Sequence, residues 1–210
     1  MLVLEDIFMS KGWSGERQRH AMSARGIRSI SKRSFIALGK SKRTKGEEKI
    51  LEWLKSIVKL KKMQCFKGQK SHEYCGMEDY VLRNGQFFKP MKKLPEGIEK
   101  GEIKMCFSNA FNCIVSEPDL YYVEGYAVTK GLKDFPIAFE HAWLVDNQGN
   151  VIDPTWEDGD AYFGVAFDTD FVVETITEKK YTGLLDDWQN KWPLLRDEKP
   201  DIRVKIGVVS

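Results

Sequence analysis

The sequence predicts an α+β domain, and three observations predict it. Apolar residues recur at helical spacing over 46–63 and again over 107–114, and residues 139–145 alternate in the strand manner. The strand-like runs gather in the second half of the chain, after the helices, which argues against a doubly wound sheet. With 210 residues, 42% of them hydrophobic and 12% aromatic, the chain can bury a full core, so one domain with extensions is expected.

Residues 1–45 read as a basic arm and 46–210 as the folded domain. Residues 1–63 carry 16 Lys and Arg against 6 Asp and Glu, a net of +10. The remainder carries 17 against 25, a net of −8, so the overall +2 says little about partners. Ser10 to Lys45 is rich in Ser, Gly, Arg and Lys and buries too little apolar surface to order itself, which predicts a mobile arm. A short helix over Glu16 to Arg25, with His20 on its surface, is the local exception. The arm's charge admits contact with nucleic acid or an acidic partner, but only Trp13 and Phe35 interleave with it, so base stacking has weak support.

Gly46 to Met63 is a bounded amphipathic helix, with Glu47 and Glu48 in its first turn and Lys59, Lys61 and Lys62 in its last. Its apolar face is expected on the core rather than on a membrane or partner helix. Cys65, His72 and Cys75 lack zinc-ligand spacing, so no metal or cofactor is expected. Lys89-Pro90 and Leu94-Pro95-Glu96-Gly97 mark a loop, and the apolar stripe Phe107, Ala110, Phe111, Ile114 begins a second helix just after Cys106. Cys113 falls on nearly the same face and reads as core.

A strand around Tyr122 to Ala127 precedes the one over Phe139 to Val145, whose residues 139, 141, 143 and 145 share a face. Asp146 to Asn150 is a turn cluster and Val151-Ile152 a returning strand. A hairpin centred near Asn147 and Gln148 gives paired positions summing to 294 or 295, which sets His141 opposite Asp153 or its neighbour. Strands are expected at 162–167, 171–176 and 202–208, and a short helix at 184–192 closed by Pro193. No apolar run of about 18 residues exists, so no membrane span is expected. An acidic start without a basic leader and only four scattered cysteines suggest a reducing, cytoplasmic setting. No internal repeat is visible, and oligomeric state has no signature.

The order Cys106, His141, Asp153 is that of a thiol nucleophile, its base and the group that orients the base. At a helix N-terminus, unpaired backbone N–H groups and the dipole favour a thiolate and offer donors to an oxyanion. An aspartate beside the imidazole fixes its tautomer. Two plainer readings stand beside this one: Cys106 as an inert buried thiol, or the three residues as metal ligands. Trp143, on the face of His141, either covers the site or belongs to the core. Glu124, Tyr126 and Trp156 read as structural.

Four blocks together resemble a known family: Cys106-Phe107-Ser108-Asn109-Ala110, Tyr122-Val123-Glu124-Gly125-Tyr126-Ala127, His141-Ala142-Trp143-Leu144-Val145 and Asp153-Pro154-Thr155-Trp156. They are similar to the core of the transglutaminase-like cysteine enzymes over about residues 100–160. The resemblance implies a papain-like scaffold, with the nucleophile helix packed on an antiparallel sheet. It also implies a Cys106, His141, Asp153 triad and acyl chemistry through a thioester: peptide or isopeptide cleavage, deamidation, glycan-amide hydrolysis or acyl transfer, on a protein, peptide or other amide-bearing substrate. One departure is that Met105 and Phe107 flank the nucleophile, where many members carry Gly and a bulky aromatic. Asn109, Gln86, Trp143 and Tyr126 are therefore candidates for substrate or oxyanion contacts by type alone. An inactive interaction protein on the same scaffold, or an adaptor acting through the basic arm, are the other functional classes.

Overall fold

Antiparallel pairing organises the domain. The computed structural model describes residues 42–64, 73–91, 93–132, 135, 137–179, 181–196 and 202–207. Residues 1–41 of the basic arm, with its short helix, and Cys65 and His72 of the zinc reading, lie outside the described residues.

The strands are β1 (Gln86–Phe88), β2 (Tyr121–Thr129), β3 (Phe139–Val145), β4 (Val151–Ile152), β5 (Gly159–Phe167) and β6 (Arg203–Val204). They form one antiparallel sheet in the order β1-β5-β2-β3-β4, with β6 on β5 beside β1. The central pair β2 and β5 is buried almost throughout, which suits its runs of aromatic, β-branched and small residues. Gly125 and Gly164 face each other there, and a Cβ on Gly164 would come within 2.7 Å of the Trp143 ring. On one face Phe88, Val123, Ala127, Trp143, Val145, Val151, Tyr162, Ala166 and Ile206 form an apolar core.

Helices α1 (Lys45–Gln64), α2 (Met77–Asn84), α3 (Cys106–Ser116) and α4 (Thr169–Lys179) complete the fold. Helix α1 starts in a reciprocal capping box: Glu47 N–H donates to Thr44 Oγ1 (3.2 Å) and Thr44 N–H to Glu47 Oε2 (2.8 Å). Its Ile50, Leu54 and Val58 are buried as it packs on β2, β5 and α2, so its apolar face serves the core. Helix α3 lies on β3 and β2 and buries Ala110, Phe111 and Ile114. None of the helices among the described residues is long and apolar enough to cross a membrane.

Several expected elements differ. Residues 171–176 lie in helix α4 and not in a strand. Asp168 Oδ1 accepts the Phe171 N–H (3.0 Å) as a cap, and Val172 and Ile176 are buried four residues apart, so packing overrides their β-branched preference. Residues 184–192 form turns, with a 3₁₀ turn at Pro193–Arg196. Lys191 and Trp192 have φ of 58° and 51°, incompatible with a right-handed helix, and Asp187 binds the Asn190 amide instead. Among the described residues 202–207, only Arg203–Val204 pairs as a strand. Helix α2 was not anticipated.

Candidate active site

The β3–β4 hairpin sets the site. Its pairs are Leu144 with Ile152 and Val145 with Val151, a register two positions beyond the lower sum expected. Extended, that register sets Asp153 opposite Trp143 and diagonal to His141. A shift by two preserves the face, so both side chains still point the same way. The ladder stops at Ile152, and the Asp153 side chain reaches back to His141, Oδ2 to Nε2 at 2.8 Å.

Every lone-pair region of the Asp153 carboxylate is occupied. Oδ2 also accepts the Tyr162 hydroxyl (2.7 Å), and Oδ1 accepts the N–H groups of Thr155 (2.8 Å) and Trp156 (3.0 Å). Burial alone would raise this carboxyl's pKa. The hydrogen bonds and charge of His141, with help from Tyr162 and Trp156, outweigh burial and hold it below its ordinary value.

His141 is 1% exposed, and the Trp156 ring stacks on it with centroids 3.9 Å apart and planes 14° from parallel. Burial pushes the imidazole toward neutrality, yet hydrogen bonds and charge from Asp153 and the Cys106 thiol prevail and raise it to about 9. With Nε2 given to Asp153, Nδ1 is the nitrogen left for Cys106. The imidazole thus stands between the Asp153 carboxylate, met at 2.8 Å, and the Cys106 thiol, which lies near enough to act on its charge.

Cys106 is the first residue of α3 and is half-buried. The approach turn holds Lys104 at φ 69°, an uncommon conformation for a side-chain-bearing residue. The first intrahelical bond runs from Asn109 N–H to Met105 O (2.8 Å), so the amides of Cys106, Phe107 and Ser108 precede it and, among the described residues, have no acceptor, which leaves them as candidate oxyanion donors.

The candidates chosen by residue type are placed otherwise. Asn109 spends both amide hydrogens on Glu102 O (2.7 Å) and Thr155 Oγ1 (2.8 Å), clamping the nucleophile helix to the Asp153 loop. Gly101 N–H adds a bond to Pro154 O (2.7 Å), and a Cβ there would lie 2.3 Å from the Asn109 amide. Asn109→Ala is expected to cost about 1–3 kcal/mol, since it strands the Glu102 carbonyl and the buried Thr155 hydroxyl; a denaturant midpoint equal to wild type would exclude the clamp.

Gln86 shares a ladder row with His141, through Gly164 and Gly125, so three strand spacings of about 4.8 Å separate them. Its amide binds the Ile206 backbone at the far edge. Trp143 is fully buried in the core and its ring stacks near His141 with centroids 6.0 Å apart, while Trp156 lies closer at 3.9 Å. Cys113 is half-buried rather than core and lines a recess of about 360 Å³, where burial pushes its thiol up to about 11. Loop residues Met91, Lys93, Leu94 and Lys100 wall a cavity of about 50 Å³ against Asp153, Trp156 and Tyr162, behind the triad.

Trp156 and Tyr162 were not identified as site residues from the sequence. The aromatic after Asp-Pro-Thr was a local hint for Trp156; for Tyr162 there was none, because its approach depends on β5 pairing with β2. Among the described residues, no group of three or more His, Cys, Asp or Glu is placed to hold a metal ion. No family model, curated protein or solved structure matches the chain.

Proposed function

We propose that this protein is a thiol-dependent acyl-transfer enzyme of the transglutaminase-like type. The supporting observation is the buried pair of His141 and Asp153, in which a fully satisfied carboxylate holds the imidazole, with the half-buried Cys106 thiol at a helix start near enough to help raise the ring's pKa. A histidine with its pKa near 9 is protonated at neutral pH and can pair with a thiolate. The sulfur adds to an amide or ester carbonyl, first-turn amides of α3 receive the oxyanion, and His141 passes its proton to the leaving group. Water or an amine then attacks the thioester, His141 takes up the nucleophile's proton, and the thiolate leaves to restore its pairing with the imidazolium. Such a thiol needs a reducing setting, as the cytoplasm provides.

Trapping the acyl-enzyme tests this reading. Wild-type protein incubated with amide and ester substrates, or with cell extract, is expected to gain an acyl mass on the peptide containing Cys106, which hydroxylamine removes. Cys106→Ala gains none. Equal adducts on both proteins, or none on either together with unselective alkylation of all cysteines, would move the protein to the non-catalytic interaction class.

A further inference from the structure

We propose that Tyr162 is a positioning residue of the site and acts through Asp153: its hydroxyl takes a share of Oδ2 that would otherwise fall wholly to His141, which keeps the imidazolium acidic enough to hand on its proton. This role presupposes the thiol chemistry proposed above. Tyr162 lies on β5, is 2% exposed, and donates to Oδ2 at 2.7 Å, while His141 Nε2 meets the same oxygen at 2.8 Å. Oδ1 is taken by the N–H groups of Thr155 and Trp156. Turning the carboxylate would break bonds at both oxygens, so ring and phenol stay in competition for Oδ2.

The phenol can act in one direction only. Burial, then the charge of Asp153, holds its proton far more tightly than an ordinary tyrosine does, so toward Asp153 it is a donor at every working pH. A second donor on one carboxylate oxygen stabilises the negative charge there and weakens the bond to the first. Burial lowers the proton affinity of His141, and Asp153 after β4 and Cys106 from α3 more than offset it. Lys93, Lys100 and Glu157, round the adjoining cavity, are exposed, and Lys100 pairs with Glu157 (2.7 Å). Without the phenol the ring would hold its proton more tightly still, and a proton held too tightly passes slowly to a leaving amine.

The backbone keeps room for the hydroxyl. Gly159 opens β5 and approaches it so closely that a Cβ there would overlap Oη. Gly159, Asp153 and Tyr162 also line the cavity of about 50 Å³, which is large enough for a water. Tyr162→Phe deletes the donor but leaves space beside Oδ2, whereas Gly159→Ala pushes the phenol aside and fills that space with a methyl. The two substitutions remove the bond by different routes.

NMR titration of the ring tests this in a His20→Gln, His72→Gln background, which leaves His141 as the one imidazole. Tyr162→Phe keeps the aromatic contact with Trp143, centroids 5.2 Å apart, and should melt near the wild-type temperature. Its His141 pKa is expected to rise by about half a pH unit or more, opposite in sign to the effect of losing the carboxylate's charge, and Gly159→Ala is expected to raise it likewise. A rise in Gly159→Ala alone also supports the sharing of Oδ2, with water standing in for the phenol in the Phe variant. Acylation of Cys106 by an amide should slow about threefold or more in Tyr162→Phe at saturating substrate with KM unchanged, while an activated ester, whose leaving group departs without a proton, should keep its rate. Equal losses on amide and ester, or a ring pKa unchanged or lowered in both variants, would overturn the role. The titration needs no turnover. A wild type that never acylates defeats the thiol reading and this role with it; a wild type that acylates, with the ring unmoved in both variants, defeats the role of Tyr162 alone.

Discussion

Asp153→Asn is expected to slow acylation of Cys106 by substrate, and any turnover, by about 10³–10⁴-fold, the scale of the same change in a serine triad. The amide keeps an oxygen for the Thr155 and Trp156 N–H groups, so the loop should hold. Toward His141, however, an N–H now faces Nε2, and a protonated ring loses its acceptor. Nε2 must become the acceptor, which moves the ring proton to the nitrogen facing Cys106 and leaves that nitrogen unable to accept the thiol's proton. In the wild type the alkaline limb of the rate profile should fall near pH 9, where His141 loses its proton; in the variant it should retreat toward the ordinary histidine value. Acyl-enzyme formation across pH with the amide and ester substrates above, read as mass on the Cys106 peptide, measures both. An unchanged profile would mean that Asp153 does not govern the imidazole.

The same pair makes a stability statement of known sign. His141 binds its proton more tightly folded than unfolded, so its contribution is fully present below about pH 6.5 and is lost as pH rises through about 9. Asp153, held low, contributes above its unfolded value near 4 and loses that contribution as pH falls through its folded value.

Glu124 carries the second large effect and runs against the usual carboxylate. It is 1% exposed on β2, and burial raises its pKa to about 7 despite bonds from Leu185, Leu184 and Tyr122. The folded state therefore keeps its proton up to about pH 7, whereas the unfolded chain releases it near 4.5. Stability is expected to fall by roughly 2–4 kcal/mol across that interval and then level off. The geometry agrees: the Tyr122 hydroxyl lies 2.9 Å from both Glu124 Oε1 and Thr182 O, and one phenolic hydrogen cannot serve two acceptors. A protonated Glu124 donates to Tyr122, which then donates to Thr182.

Glu124→Gln removes the ionisation and should abolish this pH dependence, at a cost of about 1–3 kcal/mol at pH 5 because its NH2 cannot accept the Leu184 or Leu185 N–H that the acid's oxygen takes. Glu124→Ala strands two buried N–H groups and opens a cavity beneath the 182–187 turn, at a cost of about 3–5 kcal/mol. Urea midpoints at pH 5 and 8 for the three proteins decide it. A Gln variant that keeps the wild-type slope would show that Glu124 is ionised throughout.

The sequence by itself determined which residues are chemically capable and, where short range suffices, their placement. Helix α1 was legible because its period, acidic first turn and basic last turn lie within twenty residues. His141 and Asp153 were legible as partners because the intervening turn restricts the hairpin to a few registers, and an error of two leaves the face unchanged. Residues 171–176 and 184–192 misled, since β-branched and helix-prone compositions are weak local biases that the Asp168 cap, burial and the turn at Lys191 and Trp192 override. Only the tertiary structure decided what surrounds the pair: Tyr162 on Asp153, Trp156 across the imidazole, Asn109 as clamp and Gln86 three strands away. Those contacts depend on sheet order and on loops closing over long separations, and their energies arise only once the core has excluded water. No window of sequence contains that information.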